Sequence, residues 1–245
     1  MIAGCIPEQR ALANSNCVFP LTLVPAASAS TSTADIAGWC SEHHTELQAL
    51  MLRHGAVLLR GGDVRGPEDF AAVSNSLNCE AYDYIGGAAP RTELVPGVVF
   101  TSNESPPDQA IPFHHELAQA PAPPSYILFF CERASAEGGA TPIIPSAEVA
   151  DFVARALPEF GQKLADLGVR YVRVMPEVTD NESALGRSWK ETYNAATREK
   201  AEAVMLKQGT ICQWLANGDC RTTTAVLPAI RRDPRTGTQV FFNSV

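Results

Sequence analysis

No run of about 18 consecutive apolar residues occurs in this 245-residue chain, and a membrane-spanning helix needs that length. The longest uncharged stretch, Ala11 to Ala34, is broken by Asn14, Asn16, Pro20, Pro25 and a Ser/Thr tract. A basic start with an apolar segment behind it is also missing, since Glu8 and Arg10 sit in the first ten residues. A secretory leader is therefore not expected, and Arg10 alone makes a weak case for organelle import. The cytoplasm is the expected compartment. The seven cysteines form no C-x-x-C pair and are odd in number, which excludes a disulfide framework and points to reduced thiols. An excess of cations is lacking as well: 19 Lys and Arg stand against 27 Asp and Glu, a net charge of −8. Without clustered cations, a nucleic-acid groove or an anionic membrane surface is a poor match. A small-molecule partner fits better. Charged residues make up only 19% against 45% hydrophobic, so the chain has the means to bury a core.

Internal repeats are absent, and the one low-complexity patch, AASASTST at 26–33, reads as a loop. From Asp35 to His54 apolar residues recur at three- and four-residue spacing before Gly55, which predicts an amphipathic helix. AVLLRG at 56–61 has the form of a buried strand, and GPEDFAAVSNSL at 66–77 opens a second helix with Pro and acidic residues. GVVFTSN at 97–103 and SYILFFCE at 125–132 are rich in β-formers, with the proline-rich ESPPDQAIP between them irregular. Helices follow at 146–156 and 158–167, an alternating strand at 169–175, and a further helix over about 197–207. The Asn217-Gly218 step between β-type flanks predicts a hairpin, and 231–243 reads as a turn feeding a strand.

Only five histidines are present: His43, His44, His54, His114 and His115. On an extended backbone, residues two apart face the same way, so His114 and Glu116 converge while His115 points elsewhere. One imidazole and one carboxylate aimed together supply two-thirds of the facial triad that holds non-haem Fe(II), with open positions for a keto-acid and O₂. H-x-E alone is a short motif that chance produces often, and a hydrogen-bonded loop histidine pair is its plain alternative.

The motif stands in a longer pattern. VFPLTLVP at 18–25, HGAVLLRGGDV, GGAAPRT, NESPPDQ, the FHHELAQ block, GGATPI, GRSWKETY and the final TG-x-x-VFFNS occur in one order. In these blocks the sequence resembles the TauD/TfdA-type Fe(II)/2-oxoglutarate-dependent oxygenases, above all the clavaminate synthase-like members. The resemblance implies an α+β fold with a mainly β core, a double-stranded β-helix (jelly roll) with flanking helices. It implies an N-terminal arm and loop at 1–34 and an oxygenase domain over 35–245. It makes His114 and Glu116 iron ligands and places the Thr141 hydroxyl against a carboxylate of 2-oxoglutarate. The implied reaction is oxidation of a C–H bond of a small polar molecule, by hydroxylation or desaturation, with O₂ as oxidant. A carboxylate at 116 sets the chain apart from related halogenases, which carry a small residue at that ligand position.

The family pattern also includes a distal His and an Arg that pairs with the far carboxylate of the keto-acid. No His follows His115, so the chain is expected to lack its C-terminal section, and the jelly roll to be incomplete there. The rival expectation is a degenerate jelly roll that binds a metal or ligand without turnover. His43, His44 and His54 read as surface histidines of the first helix, and Trp189 and Trp214 as core.

Overall fold

The computed structural model describes residues 1–13, 15–102, 104, 110–183 and 186–244. It divides into two compact units, one formed by 1–81, 93–100 and 128–140, the other by 82–92, 101–127 and 141–245.

In the first unit, β1 (Ile2–Gly4), β2 (Arg10–Ala11), β3 (Val18–Phe19) and β4 (Leu21–Val24) are followed by α1 (Thr33–Glu42), α2 (His44–His54), β5 (Val57–Leu59), α3 (Pro67–Ser76), β6 (Glu93–Val95) and β7 (Val99–Phe100). Strand β4 is central to a three-stranded sheet, antiparallel to β1 and parallel to β5. The parallel pairing requires a crossover, which α1 and α2 supply. Leu21 and Leu23 pack with Ile36, Cys40, Leu47, Val73 and Leu77 into the core of this unit. The Ser32 hydroxyl caps α1 by accepting from the Asp35 amide at 3.2 Å, and Pro67 opens α3, where a missing N–H costs nothing. The helix predicted over 35–54 is two helices. His43, at φ −111°, leaves the helical conformation and its amide closes back on the Trp39 carbonyl. His54 is a second difference: it is buried, with Nδ1 2.8 Å from the Val18 carbonyl, whereas the sequence suggested a surface position.

The second unit contains α4 (Ser146–Ala156), α5 (Pro158–Leu167), β8 (Val172–Met175), α6 (Trp189–Thr192), α7 (Arg198–Lys207), β9 (Ile211–Trp214), β10 (Cys220–Thr223), β11 (Ile230–Arg232) and β12 (Gln239–Phe241). Strand β10 lies between β8 and β9, antiparallel to both. The β9–β10 hairpin turns through Asn217-Gly218, with Gly218 at φ 91°, a conformation that glycine adopts without steric penalty. Met175, Trp189, Tyr193, Ala195, Ala201, Met205 and Cys220 form the core. Trp189 is fully enclosed, donates from Nε1 to the Gly218 carbonyl at 3.2 Å and meets Trp214 edge-on at 5.0 Å. Both tryptophans are thus structural.

The architecture is α+β, and the sheets among the described residues have two or three strands. SYILFFCE at 125–132 holds no strand, and Ile127 and Phe129 are exposed. Its β-forming residues lack a ladder partner among the described residues, and strand preference is largely a preference for packed neighbours. Among the described residues, no helix is long and apolar enough to cross a membrane.

Candidate metal centre

Residues 110–115 run without regular structure into a turn at 116–119. The turn closes through the Ala118 amide on the His115 carbonyl at 3.2 Å. Leu117 adopts φ 54° and is buried. A left-handed conformation costs a non-glycine residue roughly 1–2 kcal/mol, which the burial of the leucine side chain offsets. The H-x-E segment is therefore anchored directly behind its carboxylate.

His115 provides the second anchor. Its Nδ1 lies 3.2 Å from the Asn243 carbonyl, its Nε2 lies 2.6 Å from the Ser146 hydroxyl, and its ring packs on Phe242 at 4.4 Å. Burial holds this imidazole below its ordinary pKa. It is joined to the start of α4 and to the chain just after β12, and is committed to structure.

His114 and Glu116 lie on the other side of the segment. His114 Nε2 is 3.9 Å from Glu116 Oε2. His114 Nδ1 is 2.9 Å from the Pro112 carbonyl. A carbonyl only accepts, so the neutral ring carries its proton on Nδ1 and presents a lone pair on Nε2. Metal-binding histidines are commonly oriented in this way. Two donors at a right angle around one ion, with bonds of roughly 2.1 Å, stand roughly 3 Å apart, so a small side-chain closure brings this pair to ligand spacing. The two side chains fit a divalent metal as two donors. Among the described residues, no group of three or more His, Cys, Asp or Glu side chains assembles around them.

Arg91, to which sequence reasoning gave no role, meets Glu116. Its Nη2 is 3.4 Å from both carboxylate oxygens, and the two side chains are only 17% and 19% exposed. Arg91 Nη1 donates to the carbonyls of Thr101 at 3.0 Å and Ser102 at 2.6 Å, and its Cζ lies 4.9 Å from the centre of the Tyr84 ring. Burial works against the charge of Arg91, yet Tyr84 and Glu116 beside it hold its pKa above the usual arginine value. Glu104 completes the frame by accepting from the Thr92 amide at 2.8 Å and the Thr101 hydroxyl at 2.7 Å. The only sequence signal was the position of Arg91 within the GGAAPRT block.

Thr141 is exposed in an irregular segment, and among the described residues its hydroxyl makes no hydrogen bond to His114 or Glu116. His43 and His44 are spent locally, His43 on the Trp39 carbonyl and ring, His44 on the Ser41 carbonyl. NESPPDQ lies, apart from Glu104, outside the described residues.

The family model for the taurine catabolism dioxygenase TauD, TfdA family matches residues 18–245. The chain is similar to a clavaminate synthase-like protein of Arabidopsis thaliana, 42% identical over 199 residues, which are 81% of this chain and 60% of that protein. It is also similar to the dapdiamide synthesis protein DdaC of Enterobacter agglomerans, 29% identical over 218 residues, 89% of this chain and 62% of that protein. The chain spans about three-fifths of the length of these curated relatives.

Proposed function

Because the chain belongs to the TauD, TfdA family, we propose that it is the metal-binding part of an Fe(II)- and 2-oxoglutarate-dependent dioxygenase acting on a C–H bond of a small polar molecule. The observation that carries this reading is the convergence of His114 Nε2 and Glu116 Oε2, with the far nitrogen of the imidazole held by a backbone carbonyl. His114 and Glu116 hold the iron, and Thr141 donates its hydroxyl to a carboxylate of 2-oxoglutarate. Iron and 2-oxoglutarate together supply the oxidant for C–H cleavage, with O₂ consumed and succinate and CO₂ released. The protein's own part is to leave metal positions open, to hold the two donors in one orientation and to keep His115 out of the coordination sphere. The surrounding domain, 35–245 with 1–34 as an arm, is a jelly roll with flanking helices in this reading, and the oxidation is a hydroxylation or desaturation.

A second reading rests on the donor count. The described residues bring two protein donors together and no third, which suits a metal- or ligand-binding module without turnover. Titration separates the two. Under the first reading the chain takes up Fe(II) and 2-oxoglutarate together, develops a metal-to-ligand absorption band and forms succinate. Under the second it binds the ion and forms no succinate. Loss of binding in both His114→Ala and Glu116→Ala is expected under either reading, and unchanged binding in these variants overturns the site itself.

A further inference from the structure

We infer that Arg91 is a positioning residue that sets the orientation of the Glu116 carboxylate for metal binding. The inference rests on the assignment of Glu116 as a metal ligand and adds a residue that this assignment does not contain.

The geometry separates Arg91 from an ordinary surface ion pair, whose partners are mobile and whose contribution is small. The guanidinium is fixed before it reaches the carboxylate. Nη1 is committed to two backbone carbonyls, at 3.0 and 2.6 Å, and the plane rests near Tyr84. Among the described residues, Nε is buried without a hydrogen-bond partner. A buried donor left unsatisfied is unfavourable, so the side chain is not placed where its own hydrogen bonding is best served. What remains is Nη2, which stands equally far from Oε1 and Oε2. An equidistant cation restrains rotation of the carboxylate about its last bond. Its oxygen nearer His114 is then ready to share an ion. The contact stays long, at 3.4 Å, so Arg91 orients the group without consuming its lone pairs as a short bidentate pair would.

The carbonyls of Thr101 and Ser102 extend this control to the backbone. The Thr101 amide bonds to the Thr92 carbonyl at 2.9 Å and the Thr92 amide to the Thr101 hydroxyl at 2.9 Å. Arg91 is thus held by a small closed frame, and Glu116 is reached from it across 25 positions of sequence.

The test uses Co(II) alone as the probe on the full chain, with dissociation constants and the ligand-field spectrum as readouts and circular dichroism as the folding control. Arg91→Met is expected to weaken Co(II) binding by about 10- to 100-fold, the range for loss of a group that orients a ligand, and to change the spectrum as the carboxylate reorients. Arg91→Lys, which keeps charge without the planar fork, is expected to fall between Met and the native residue. His114→Ala is expected to abolish uptake. If His114→Ala abolishes uptake while Arg91→Met and Arg91→Lys keep native affinity and spectrum, the positioning role is wrong and the metal site stands. If His114→Ala changes nothing, or the native chain takes up no Co(II), both are overturned. Should Arg91→Met not fold, Arg91→Lys decides alone: native affinity and spectrum reject the role, and weakened binding with an altered spectrum supports it.

Discussion

Ser146 donates its hydroxyl proton to Nε2 of His115 across 2.6 Å. The direction follows from the other nitrogen, which faces the Asn243 carbonyl and must carry the ring proton. His115 therefore clamps the H-x-E segment between the first residue of α4 and the chain after β12. Replacing Ser146 by Ala leaves a partly buried ring nitrogen without its donor and is expected to cost about 1 kcal/mol. His115→Ala also removes the packing on Phe242 and is expected to cost about 2–4 kcal/mol. Urea unfolding of the two variants measures both, and a near-native midpoint for His115→Ala would contradict the clamp.

Thr141 has the opposite profile, being exposed in an irregular segment. Under the proposed function, Thr141→Ala leaves stability and metal affinity unchanged and weakens 2-oxoglutarate binding about tenfold, since one hydrogen bond to a charged group contributes roughly 1.5 kcal/mol. Titration of the keto-acid into the metal-loaded chain, followed by its absorption band, is the measurement.

Gly218 occupies φ 91°, and a Cβ there collides with the carboxylate of Glu177, which is engaged with Lys190 at 2.9 Å. Gly218→Ala is expected to destabilise the β9–β10 hairpin by about 1–3 kcal/mol. The double variant Gly218→Ala, Glu177→Ala relieves the collision and leaves the backbone strain, so it recovers only part of the loss. Thermal melts of the two single variants and the double variant form the cycle that tests this.

Asp233 receives the backbone amide of Arg235 at 2.8 Å, its Nε at 3.1 Å and its Nη2 at 2.8 Å. The hydrogen bonds from Arg235 hold the carboxyl below the ordinary value of 3.8. A carboxylate whose folded pKa is depressed contributes stability that is present above the unfolded pKa and lost as pH falls through the folded one. Asp233→Asn is thus expected to be less stable than the native chain near neutral pH, by no more than about 1 kcal/mol for a pair this close to solvent. The gap should close as the pH drops below the model-peptide range for Asp, and melting curves taken across that range show whether it does.

Local pattern was sufficient where local physics decides. The helices at 146–156 and 158–167 lie where their periodicity and Pro158 put them, and Asn217-Gly218 makes the expected hairpin because positive φ at a glycine is a property of that residue alone. The break at His43 was not legible, since the apolar spacing continues through a residue whose amide simply closes back on Trp39. The missing strand at 125–132 and the buried His54 have one cause: both depend on neighbours distant in sequence. The same holds at the site. His114 and Glu116 could be paired from the two-residue period of extended backbone, whereas the Arg91 contact joins segments that no periodicity links.

The ion pair between Arg91 and Glu116 also sets a local charge account. The positive Arg91 and negative Glu116 sum to zero, and a dication placed beside them leaves an excess of two positive charges. A dicarboxylate cancels that excess. Under the proposed function, ion and keto-acid then favour each other's binding, and the guanidinium of Arg91 enlarges the effect by one unit of charge.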